Sequence, residues 1–162
     1  MNSPNIENQV DFIPIHSFWN RLHEIRSLRF VASSQKGNTG WSGEGTGDVR
    51  VEILDSRVIL CYEQGLWKSA ADKEFAFRNL YRWTLDESSG SISLEHLRFG
   101  IDHPVFLFEL RMKSAVTLES VSPHVCRDDR YTATLSLRPD SLDLAWTVKG
   151  PDKDEEIRYV YR

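Results

Sequence analysis

The chain has 162 residues, 40% of them hydrophobic, with five Trp, five Tyr and eight Phe and a net charge of −4. That length suits one domain around one core, and that composition argues against disorder over most of it. Charges of both signs are interspersed without a basic stripe, and no apolar run reaches the length of a membrane helix, so neither nucleic acid nor a membrane is an expected partner.

Residues 1–14 read as a flexible tail ahead of a single domain over 15–162. The stretch MNSPNIENQVDF has neither the cationic nor the apolar region of a signal peptide, and the expected location is cytoplasmic. Cys61 and Cys126 fit that location as free thiols, because a lone pair in a chain this long is no disulfide framework. From Ile15 to about Ser27, IHSFWNRLHEIRS places Phe18, Leu22 and Ile25 on one face and His16, Asn20 and Glu24 away from it. This predicts a short amphipathic helix.

Strands are predicted from there to the end, at roughly 28–34, 46–54, 57–64, 73–86, 91–98, 104–111, 115–121, 131–138, 141–149 and 155–162. No second helix interrupts them. Close, regular strands joined by turn residues predict an antiparallel meander, and closure into a barrel removes the edges that invite aggregation. The fold class is therefore all-β: an antiparallel up-and-down barrel with one N-terminal helix.

The last hairpins allow a register to be set. Tyr131, Ala133, Leu135 and Leu137 share one face, as do Leu142, Leu144, Trp146 and Val148. A two-residue Pro139-Asp140 turn pairs Leu137 with Leu142, Leu135 with Leu144, Ala133 with Trp146 and Tyr131 with Val148. A four-residue loop from Gly150 to Lys153 then sets Trp146 opposite Ile157 and Leu144 opposite Tyr159. The five-residue alternative would turn Arg158 and Arg162 inward, a costly burial without an anion to meet them. Tyr159 and Tyr161 are expected to face in.

Alternation sorts the connections by end. Asp55-Ser56, Glu87–Gly90, Met112–Ser114, Pro139-Asp140 and the helix share one end. The longer segments 35–45, 65–72, 99–103, 122–130 and 150–153 share the other. Such a barrel resembles the calycin plan, including the lipocalins, in which the loop end is the mouth of a cavity; sites are carried on such loops more often than on tight turns. A more particular resemblance rests on His124-x-Cys126-x-x-Asp129-x-Tyr131, then Trp146-x-Val148-x-Gly150-Pro151-x-Lys153, then the terminal Tyr161-Arg162. Together with Phe18-Trp19-x-x-Leu22 and Tyr81-x-Trp83, this is similar to an uncharacterised family of small single-domain bacterial and fungal proteins. The resemblance implies a calycin-like barrel and brings no known activity, ligand or catalytic residue.

Ser122 to Tyr131, SPHVCRDDRY, concentrates the reactive side chains. His124 and Cys126 share a face in extended chain. With His103 and Asp129 they offer a set of zinc ligands, though without zinc-site spacing, and as a Cys-His pair they offer a nucleophile. Alternatively Cys126 is a small buried hydrophobe and His124 caps its loop. Pairing Tyr131 with Val148 brings the preceding residues beside the Gly150–Lys153 loop, so His124, Asp129, Tyr131 and Lys153 are expected to form a polar cluster at the mouth. Cys126, His103, Tyr81 and Trp83 are further candidates for contact with a ligand. Asn79, Tyr81 and Trp83 share the face of Phe75 and Phe77, where the polar tips of Asn79 and Tyr81 need partners.

Gly40, Gly43, Gly45 and Gly47 superficially resemble a phosphate loop, but no Lys-Ser/Thr and no helix follow, which points to a lid or turn. Trp41 and Trp67 are expected beside the mouth. The ending IRYVYR resembles the Arg-x-Tyr pair of fatty-acid-binding barrels only faintly, since Val160 stands two residues after Arg158. Three functions stay open: a barrel that holds a small, partly apolar molecule, an enzyme built on the cluster around His124, Cys126 and Asp129, and a solid-core interaction domain. No motif identifies a cofactor or an oligomeric state.

Overall fold

The computed structural model describes residues 14–36 and 42–162. Most of the expected tail, together with Gly40 and Trp41, lies outside these residues. Helix α1 spans Ile15–Glu24 and buries Ile15, Phe18, Trp19 and Leu22, the three- and four-residue spacing of one apolar stripe. It ends before the expected Ser27 because Ile25 is already extended, with ψ at 139°, and its side chain is buried as the chain turns into the first strand.

Eleven strands follow: β1 (Ser27–Ser34), β2 (Gly43–Ile53), β3 (Val58–Ser69), β4 (Glu74–Asp86), β5 (Ser91–His96), β6 (Val105–Ser114), β7 (Thr117–Ser120), β8 (His124–Cys126), β9 (Asp129–Leu137), β10 (Leu142–Lys149) and β11 (Asp154–Tyr161). Neighbours in sequence pair antiparallel from β1 to β7. Then β7 pairs with β9, β9 with β10, β10 with β11, and β11 returns to β1. The result is a closed ten-stranded barrel. The short β8 is a side hairpin on β9, unforeseen in the sequence, made by a two-residue turn in which Arg127 has φ of 56°.

The register of the last three strands is the one set by matching faces. Leu142 pairs with Leu137, Trp146 with Ala133 and Val148 with Tyr131, while Trp146 pairs with Ile157 and Leu144 with Tyr159. Tyr159 and Tyr161 are buried, and Arg158 lies outside against Glu156 at 2.6 Å. A slip by one residue would have exchanged these faces.

Helix α1 closes the end with the tight turns. Trp19 Nε1 donates to the Ser56 carbonyl at 3.1 Å, and the Arg21 guanidinium donates to the carbonyls of Arg138, Pro139 and Ser141. His16 lies 2.9 Å from Glu87. Behind the helix, Leu94, Leu110, Leu118, Leu135 and Leu142 are almost fully buried, so this half of the barrel is packed solid.

The other end departs from the sequence reading. Gly43, Gly45 and Gly47 are neither lid nor turn but the inner face of β2, and β3 continues to Ser69 through residues expected in a loop. The reason is steric. A Cβ on Gly45 would strike the Phe30 ring, one on Gly47 would strike the Gln64 backbone and approach the Phe77 ring, and one on Gly65 would strike the backbone of Thr46. Glycine here admits large side chains from the neighbouring strands.

Candidate functional site

Above the packed half the barrel holds a cavity of about 470 Å³ open toward the mouth. Its apolar wall includes Phe30, Phe77, Val105, Phe106, Val148 and Ile157, and its polar groups come from Asn79, Tyr81, His96, His124, Trp146 and Tyr159, with Arg98, Lys153 and Glu155 also on the lining. A bulge between β5 and β6 sets Leu94 against Phe108 but Glu95 against Phe106. It thereby brings Val105 opposite His96 on the cavity wall.

Beneath the cavity lies a buried polar layer. Glu63, on the same face of β3 as Ile59 and Cys61, is 2% exposed. Tyr161 Oη donates to its Oε1 at 2.7 Å, and Asn79 Nδ2 donates to its Oε2 at 3.2 Å. Burial pushes the Glu63 carboxyl up to about 7 despite these two donors, well above the ordinary carboxylate range. Burial likewise raises the hydroxyls of Tyr81, Tyr159 and Tyr161 and the thiol of Cys61, which all remain protonated. His96 stacks on Tyr81 with ring centroids 4.7 Å apart. Burial, and then the charge of Arg98, hold this imidazole below its usual range, favouring the neutral form.

Trp146 also lines the cavity. Its Nε1 is buried and has no hydrogen-bond partner among the described residues. Its ring packs edge-on to Phe108 at 5.5 Å and lies 6.2 Å from Tyr159.

The structure distributes the residues singled out in the sequence. His124, Cys126, Tyr131, Lys153 and Tyr81 all line the cavity. Asp129 stands beside them, its carboxylate 2.8 Å from Lys153 Nζ, and that bond raises the lysine above its ordinary value. A Cβ at Gly150 would collide with the same carboxylate, so glycine there lets the two loops meet. The ring of His124 lies between Phe106 at 5.5 Å and Tyr131 at 5.9 Å. Trp83 is in the packed half, 2% exposed, and does not line the cavity. His103 is on an exposed turn, its backbone N–H bonded to the Gly100 carbonyl, and also stands apart from the lining.

Two local readings need correction. Cys126 is exposed and so is no buried hydrophobe, because β8 projects past β7 and leaves one flank uncovered. His124 sits in a strand against aromatic rings and does not cap a loop. Among the described residues, no group of three His, Cys, Asp or Glu side chains converges as a metal site. Trp67 is stacked on Phe75 at 5.2 Å and lines the cavity.

Glu63, His96 and Tyr159 went unrecognised as parts of a polar site. A signal for Glu63 was present, since it keeps the parity of Ile59 and Cys61, an acid in step with a buried face. The partner required by Asn79 is Glu63 itself.

No helix among the described residues is long and apolar enough to cross a membrane. No curated protein matches the chain. Residues 25–162, which include all eleven strands, match the model of a family of unknown function (DUF6314), and the chain belongs to that family.

Proposed function

We propose that this barrel is a calycin-like binding module that holds one small, partly apolar molecule. The observation that carries this reading is the cavity of about 470 Å³ in the hollow half of the barrel, walled by Phe30, Phe77, Val105 and Ile157 and edged by His124, Tyr131 and Lys153. The volume falls within the range of small-molecule pockets, and the lining has their usual character of mostly apolar wall with a few directed polar groups.

His124, Tyr131 and Lys153 supply the polar rim, and Tyr81 with Cys126 complete the wall on either side. The ion pair of Lys153 with Asp129 supports a positioning role for this cluster, since each charge already has its counter-charge and neither is held as a free acid or base. Binding is therefore favoured over catalysis.

Titration with Prodan, a neutral naphthalene probe bearing a ketone, tests the proposal. One saturable site per chain is expected. Phe77→Ala should weaken it about fivefold, because the naphthalene loses an aromatic wall of the cavity. Ala32→Trp, which fills the cavity from β1, should abolish it. Absence of saturable binding in a folded wild-type protein would sink the reading.

A further inference from the structure

The barrel wall is incomplete on one side. Strand β4 pairs with β3 from Glu74 onward but meets β5 only from Tyr81, opposite His96; the last bond between them runs from Leu97 N to the Leu80 carbonyl at 2.8 Å. Residues 74–79 thus have no ladder partner on the β5 side, and the turn after β5 swings away through Gly100, with φ of 95°. Outside this break lies a second hollow of about 620 Å³, on the outer face of β2, β3 and β4. Asn79, His96 and Arg98 border both this groove and the inner cavity, and so form the partition between them.

The charge of the groove is opposite to that of the whole chain. Arg50, Arg78 and Arg98 line it, with Asp48 as the exposed acid and Glu63 buried beneath. Arg50 is engaged, stacked over Tyr62 at 3.9 Å and bonded to Glu52 at 3.5 Å. Arg78 and Arg98 form no ion pair among the described residues, although the Arg98 guanidinium lies over the exposed Phe99 ring, 4.9 Å from its centroid. These two guanidiniums come from opposite sides of the wall break, one from β4 and one from the turn after β5. The neutral imidazole of His96 and the amide of Asn79 lie between the two spaces.

We infer that the break between β4 and β5 is the site for an anionic group of the barrel's ligand, a carboxylate or phosphate held by Arg78 and Arg98 while the attached apolar body passes inward past His96 to the cavity. This rests on the binding reading above and narrows it to an amphiphilic anion. Guanidinium suits such a group because it donates two parallel bonds to paired oxygens. A neutral apolar ligand would need none of this, and the barrel mouth would serve it equally well.

Competition against Prodan by decanoate and by decanol, which share a chain length and differ in the charge, tests the site. Decanoate is expected to displace the probe at about tenfold lower concentration than decanol at low ionic strength. In Arg78→Gln/Arg98→Gln that ratio should fall to near one, whereas Arg29→Gln, on the outer face of β1, should keep it. Decyl phosphate in place of decanoate distinguishes the two anion classes, and preference for either supports the site. If Prodan binds but the two competitors are equal, or if the ratio survives in the double variant, the anion site is refuted with the cavity intact. If Prodan does not bind to folded protein, the cavity reading falls and takes this inference with it.

Discussion

Tyr161 donates its phenolic hydrogen to Glu63 across the barrel at 2.7 Å, joining residues 98 apart in the chain. The bond fixes β11 relative to β3 and marks the level where the solid half of the barrel gives way to the hollow half. Asn79, Tyr81 and Tyr159 line the cavity, whereas Ile59, Trp83 and the leucines behind the helix fill the closed half.

Glu63 should make stability depend on pH in the direction opposite to a salt-bridged carboxylate. Its folded value of about 7 stands above the ordinary value of 4.5, so the folded state binds the proton more tightly than the unfolded state. The stabilisation is fully present below about pH 4.5 and is lost as pH rises through about 7. Urea unfolding at pH 5 and pH 8 should show a loss, from this group, on the order of a few kcal/mol. Glu63→Gln keeps an acceptor for Tyr161 but has no proton to lose, and its unfolding free energy should fall less over the same interval. A variant with a pH slope equal to the wild type would exclude Glu63 as the source.

The two thiols should separate by reactivity. Cys126 is exposed on β8, while Cys61 is 1% exposed and burial pushes its thiol above the ordinary range. Ellman's reagent should modify one thiol per native chain promptly and the second only in denaturant. Since Cys126 also lines the cavity, saturating Prodan should slow the fast reaction severalfold. Prompt modification of both thiols in native protein would contradict the burial of β3.

Arg21 offers a test confined to the closed end. Its guanidinium meets the three carbonyls of Arg138, Pro139 and Ser141, and its side chain is 26% exposed. Arg21→Ala should cost about 1–2 kcal/mol in thermal or urea unfolding, the loss of charged donors to partly covered carbonyls. Probe affinity at the far end should stay within about twofold. A large loss of affinity without loss of stability would show that the plug and the cavity are coupled.

Much of the architecture was contained in the sequence because its determinants are local. The spacing of Phe18 and Leu22 requires a helix, and the alternation through Leu135, Leu137, Leu142, Leu144 and Trp146 allows one register that keeps every apolar side chain on one face. Consecutive pairing then places each turn at one end or the other, which is why α1 could be assigned beside Ser56 and Pro139. Asp129 and Lys153 came together for the same reason, through the pairing of Tyr131 with Val148. The tertiary structure decided the rest. Whether Glu63 is buried, whether Gly45 and Gly47 lie in a strand or a loop, and where β4 parts from β5 depend on residues far away in sequence meeting in a closed wall. Periodicity assigns a side chain to the inside of a barrel, but only closure, with the volume left among Phe30, Phe77 and Trp146, determines whether the inside is filled or hollow.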